Sequence, residues 1–200
     1  MIITKKELDA IGEIFNIGMG SSATALSVIL DKPVKISVPD IKIIKPAELD
    51  ITYLEPAYGI SVEYTEGLTG TNSLLLKRED VLKLASAMAW VELTEIDELS
   101  SSAICELMNQ MMGSASTGIA GFLGITVDIS TPKIGEIADT TSYKNFMYGQ
   151  FESVMTITFE LEVDGFLKTN FVTVMSSDIC KTLLAHLRKL KEDALTADGE

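Results

Sequence analysis

Apolar residues recur at three- and four-residue steps near the start of the chain. Leu8, Ile11, Ile14, Phe15, Ile17 (or Gly18), Thr24 and Leu26 share one face of a helix expected over 5–30. Thr4 can cap this helix, with Glu7 three residues on as a capping-box partner. Pro33 in "DKP" ends it, because proline cannot continue a helix. "VKISVPDIKIIKP" then alternates apolar and polar, the period of a half-buried strand. "YGISVEYTEG" and "TGTNSLLLK" read as two further strands, joined by a glycine turn at 67–70. "REDVLKLASAMAW" reads as a short amphipathic helix with acid in its first turn.

After "VELTEIDE" the pattern restarts. A long helix is expected over 98–123, then a strand at "ITVDISTPKI". "FMYGQFESVMTITFELEVDG" and "FLKTNFVTVMS" read as two more strands. "SDICKTLLAHLRKLKED" reads as a helix capped by Ser176 or Ser177, followed by the frayed tail "ALTADGE". An offset of 93 residues lays Glu13 on Glu106, Asn16 on Asn109, Gly20 on Gly113, Ser21 on Ser114, Thr24 on Thr117 and Pro39 on Pro132. Roughly a dozen of 32 positions in that window coincide, against about two from average composition. Further on the offset becomes 98, pairing Asp80 with Asp178 and Lys83 with Lys181.

The expected fold is therefore α/β in the α+β sense. It is a duplicated helix-strand-strand-strand-helix unit with a pseudo-two-fold axis. One mostly antiparallel sheet carries two long helices exposed on one face. With too few strands in either copy to close a core, and no linker between them, 1–200 reads as a single domain. Its repeats lie at about 5–91 and 98–192.

Both long helices carry the same polar stripe. Asp9, Glu13, Asn16 and Gly20 follow steps of four, three and four, as do Ser102, Glu106, Asn109 and Gly113. A merely solvated face drifts to better helix formers. Here both copies keep an asparagine and a glycine, the latter costing about 1 kcal/mol relative to alanine. The glycine leaves the helix surface low, so another macromolecule could approach closely.

Net charge of -13 argues against nucleic acid and against an anionic membrane surface, and suits a basic patch on a partner. The apolar runs fall short of a bilayer span, and the first residues lack a signal-peptide layout. Cys105 and Cys180 are expected reduced and buried, which fits a cytoplasmic location. The single histidine, His186, lies far along the chain and reads as a satisfied surface residue, so no Ser-His-Asp set exists. One carboxylate and one amide are too few ligands for a metal. "GMGSSA" lies within a helix and is a poor phosphate loop. A carboxamide can hold and orient a water, and a neighbouring glutamate can pair with a cation. Phosphoryl transfer needs mainly such positioning and charge compensation. "MNQMMG" and Trp90 read as core filling and core edge.

The pattern Asp or Ser, three residues, Glu, two residues, Asn, 22 residues, Pro occurs twice. It runs through Asp9, Glu13, Asn16 and Pro39, then Ser102, Glu106, Asn109 and Pro132. This resembles the CheC/CheX/FliY family of chemotaxis phosphatases over about residues 5–190. "GSSATALS", "VEYTEGLTG" and "AICELMNQMMGSAST" are most similar to the FliY branch. The resemblance implies hydrolysis of the aspartyl-phosphate of the response regulator CheY, controlling flagellar rotation and ending the signal. Asn16 and Asn109 would position the attacking water. Glu13 and Glu106 would pair with the regulator's lysine. Asp9, Gly20, Ser102 and Gly113 would be contact positions. No cofactor of its own is implied, since Mg²⁺ belongs to the phosphorylated partner. CheD and flagellar switch proteins are further partners the family allows, with a location in the cytoplasm or at the motor switch. The FliY branch also carries an N-terminal CheY-binding peptide and a C-terminal FliN-like domain. The chain is thus expected to be either a central domain or a stand-alone CheC-like protein. The competing reading is a non-catalytic scaffold of the motor switch.

Overall fold

The computed structural model describes residues 3–37 and 40–197, with side chains through 193. Helix α1 runs Lys5–Leu30, and the expected cap is present. Thr4 accepts from the Glu7 amide, and Glu7 reaches back to the Thr4 amide. Its matched copy, α3 (Glu98–Leu123), is capped by Asp97 with Ser100 in the reciprocal role. Both helices end on a left-handed residue. Gly124 takes φ 67° at no steric cost, whereas Asp31 takes φ 50° at the same place in the first copy. By length and composition α1 could cross a membrane. Here it is a core helix instead, with Ile11, Ile14, Phe15, Met19, Leu26 and Leu30 buried.

Among the described residues, eight strands form one sheet with only antiparallel pairings. They are β1 (Val34–Ile36), β2 (Asp40–Ile44), β3 (Ala57–Glu66), β4 (Gly70–Lys77), β5 (Asp128–Ile129), β6 (Lys133–Ile137), β7 (Val154–Val163) and β8 (Leu167–Ser176). The order is β1-β7-β8-β4-β3-β5, with β2 also on β7 and β6 also on β3. The halves thus exchange strands: the strand after each long helix pairs with the other half. At the centre β4 meets β8, with Leu74 opposite Thr173 and Leu75 opposite Val172. The 98-residue offset maps one of these rungs onto the other, so the pseudo-two-fold axis passes between them.

One sheet face packs against α1, α3, the short α2 (Arg78–Ala89) and α5 (Ser177–Ala197). Strand positions alternate accordingly: Tyr58, Ile60, Val62 and Tyr64 point into this layer. The Met cluster is core as expected, with Met108, Met111 and Met112 all buried. Where α1 and α3 cross, their backbones nearly touch. A Cβ on Gly18 would sit 3.0 Å from the Ala115 carbonyl oxygen, and one on Gly118 would sit 3.1 Å from Gly18 Cα. The buried Ser22 hydroxyl donates to the Met111 carbonyl at 2.8 Å. This crossing fixes the two helices, so their outer faces are set by the core beneath.

Several expectations need correction. The stretch 146–153 is not strand. A fourth helix, α4 (Thr140–Tyr148), and one-turn helices at Pro46–Glu48 and Thr52–Leu54 cover part of the second sheet face. Asp139 caps α4 and Tyr148 anchors it, donating to the Val174 carbonyl. The expected single strand over 34–46 is two, β1 and β2. Trp90 is no core edge, being 80% exposed. Thr24 lies outside the core, and the helical part of α5 continues through Ala197. Pro39 falls outside the described residues.

Candidate functional site

Both stripes lie on the outer faces of the packed helices. On α1, Asp9, Glu13, Gly20 and Thr24 are exposed and Asn16 is half-buried. On α3, Ser102, Glu106, Asn109 and Thr117 are exposed and Gly113 is half-buried. Pro132, which closes the second pattern, is buried. Each ridge runs about 22 Å along its helix at about 1.5 Å per residue. A Cβ on Gly20 or Gly113 would meet nothing within 4 Å, so both positions open onto free space. Thr24 donates to the Gly20 carbonyl at 3.1 Å, and Thr117 to the Gly113 carbonyl at 3.0 Å. These threonines prolong each ridge by a turn with their hydroxyls occupied locally. The repeat offset pairs them, but the helical periodicity sets Thr24 on the apolar face and not on the ridge.

Among the described residues, the side chains of Asn16, Asn109 and Glu13 make no hydrogen bond or ion pair. Glu106 differs, because Gln110 one turn on donates to its Oε1 at 2.9 Å. The repeat does not mark Gln110, because Ile17 holds its place in the first copy. A groove of about 430 Å³ flanks the second ridge, lined by Asn109, Gln110, Ser114 and Thr117 from α3 and by Val127 and Asp128 from the strand side.

Other chemistry is poorly placed. Cys180 is buried and its thiol is pushed up to about 11 by desolvation; burial also raises that of Cys105. Both cysteines are free. His186 Nε2 lies 3.3 Å from the Gly67 carbonyl oxygen, a satisfied histidine remote from both ridges in sequence. The arrangement therefore offers, twice, a free amide next to a carboxylate on a ridge that a partner surface can reach. Such a pair can hold a water and meet a cation.

Comparison with known proteins gives matching results. A model described as the CheC-like family matches twice, at residues 7–43 and 99–136, once over each ridge and its following strand. The flagellar motor switch phosphatase FliY of Bacillus subtilis is 34% identical over 190 residues, 92% of this chain and 50% of that protein. The CheY-P phosphatase CheC of the same organism is 26% identical over 144 residues, 66% of this chain and 67% of that protein. The crystal structure of Thermotoga maritima FliY aligns with a TM-score of 0.80 at 37% identity, covering 94% of this chain and 99% of that one. The chain thus spans about half the length of the FliY relative it matches.

Proposed function

Because the chain belongs to the CheC-like family, we propose that it hydrolyses the aspartyl-phosphate of a phosphorylated receiver domain, CheY, presented to either ridge. The observation that carries this reading is the pair of free amides, Asn16 and Asn109, each one turn from a glutamate and one turn from an open glycine. The names of two relatives, a motor switch phosphatase and a CheY-P phosphatase, support it.

In this reading Glu13 or Glu106 pairs with a lysine of the receiver and seats the ridge. The asparagine amide then holds a water in line with the phosphorus. The water oxygen attacks, the bond from phosphorus to the aspartyl oxygen breaks, and the products are inorganic phosphate and a free carboxylate. Divalent metal, where needed, sits with the receiver and compensates phosphoryl charge. The protein's own contribution is position: a rigid helix whose inner face is locked against its twin. Asp9, Ser102, Gly20 and Gly113 are contact positions along the ridge, the glycines leaving room for the receiver's backbone. Activity at the cytoplasmic face of the flagellar motor follows from the same reading, with CheD or switch proteins as further partners.

Phosphate release from phosphorylated CheY is the test. Acceleration well above the receiver's own loss, proportional to added protein, is expected. Binding of phosphorylated CheY with no acceleration would replace the phosphatase by a scaffold.

A further inference from the structure

This inference rests on the docking role assigned above to the two ridges. The segment that holds the short strand beside each ridge has the same four residues but one: "VKIS" over 34–37, around β1, and "VDIS" over 127–130, around β5. The single difference reverses charge, Lys35 against Asp128. Asp128 lines the groove that also holds Asn109, Gln110 and Thr117. Lys35 is exposed at the matched place on β1. Across the ladder Lys35 stands opposite Glu162, an opposite charge. Asp128 stands opposite Glu66, a like charge. Like charges directly across a ladder are destabilising, and among the described residues neither Asp128 nor Glu66 has an ion-pair partner. Stability alone does not account for the acid at 128.

We infer that Lys35 and Asp128 are specificity-determining residues: the first ridge fits a phosphorylated receiver with an acidic rim beside its phosphoryl pocket, the second one with a basic rim. Charges at the edge of an interface act mainly on encounter and partner choice, not on chemistry. The duplication thereby lets one chain serve two receiver surfaces, or two edges of one receiver, with the same Glu-Asn pair.

Each ridge can be isolated in the whole chain by reversing the other's docking carboxylate. Glu13→Lys leaves the second ridge, and Glu106→Lys leaves the first. Binding is measured to CheY held in its activated form by beryllofluoride, so that a slow ridge still reports, at about 50 and about 300 mM salt. The two single-ridge proteins are expected to differ in salt dependence. Asp128→Lys in the second-ridge protein should change Kd by about two- to fivefold and bring its salt dependence toward that of the first. Lys35→Asp in the first-ridge protein should do the converse, and Asp128→Glu should leave the second-ridge protein as it was. In turnover, both reversals should appear in KM, with kcat within about twofold. Identical salt dependences with no change on reversal overturn the inference. Parental turnover in an Asn16→Ala/Asn109→Ala protein would instead remove the water-positioning role and leave these binding results standing.

Discussion

The ridges on α1 and α3 are copies of one design with different surroundings. Glutamate, asparagine, glycine and threonine recur at matched places, and the threonines even make the same bond to the glycine carbonyl. Around them several positions differ. Asp9 is matched by Ser102, Ile17 by Gln110, and Lys35 by Asp128. The free Glu13 is matched by a glutamate held by a neighbouring amide. Shared residues mark what both ridges must do, and divergent ones mark what each does alone. The contrast between outer and inner glycines says the same. Gly20 and Gly113 face open space, whereas Gly18 and Gly118 let the helices meet.

The largest effect should come from removing the shared carboxylates. Glu13→Lys with Glu106→Lys is expected to lower kcat/KM for phosphorylated CheY by about a hundredfold, as a lost and reversed docking charge at each ridge would. Steady-state phosphate release measures it. If both ridges work, either single change leaves a measurable part of the activity.

Next come the glycines. Gly20→Leu with Gly113→Leu should block close approach and cut kcat/KM by about tenfold, while helix propensity leaves Tm unchanged or higher. Gly118→Leu should do the reverse. Its side chain would meet Ser21 Oγ and Gly18 Cα, at 2.9 and 3.1 Å from Cβ, and overpacking of this kind costs about 1–3 kcal/mol. Thermal denaturation should then show a loss of several degrees, at about 2–4 °C per kcal/mol for a chain of this size. Equal Tm changes in the two variants would dissolve the distinction between outer and inner glycines.

A smaller effect separates the ridges themselves. Gln110→Ile makes the second ridge resemble the first and frees Glu106. Since side-chain pairs at this helical spacing contribute about 0.2–0.5 kcal/mol, KM in the Glu13→Lys background should shift by about twofold.

The smallest concerns the end of α1. Arg188 donates to Glu7 at 2.8 Å and, with the Thr4 bonds, holds its carboxyl at about 2, below the ordinary 4.5. A depressed carboxyl contributes stability above its unfolded value, and that contribution is lost as pH falls through its folded one. The window is therefore between about 4.5 and 2. Arg188→Gln should move the Glu7 titration, followed by NMR, upward toward its ordinary range. The matched places on the other side, Ser100 and the exposed Trp90, have no such pair.

Much of this was legible in the sequence because the repeat supplied an internal control. The α1 cap was readable because Thr4 and Glu7 stand at capping-box spacing, β3 because its positions alternate, and β4 because a short apolar run follows a glycine turn. The stripe was readable because two helices kept the same unfavourable choices. What escaped has physical reasons. α4 is short, and Phe146 and Met147 within it mimic the apolar start of the strand that follows; Phe146 is in fact 87% exposed. Strand exchange between halves depends on long-range pairing that no local pattern encodes. Gln110 lies on α3 and Asp128 on the strand after it, and the way that strand folds back beside the helix brings them to one groove. Trp90 misled because size and apolarity argue for burial, while its place just past α2, in a left-handed conformation, turns it outward.

The most direct measurement compares parent and Asn16→Ala/Asn109→Ala protein in phosphate release from phosphorylated CheY, with binding of beryllofluoride-activated CheY read alongside. The account predicts turnover reduced at least ten- to a hundredfold with Kd nearly unchanged, as when a positioning group is lost without the docking surface. Turnover equal to the parent's at equal binding would contradict it.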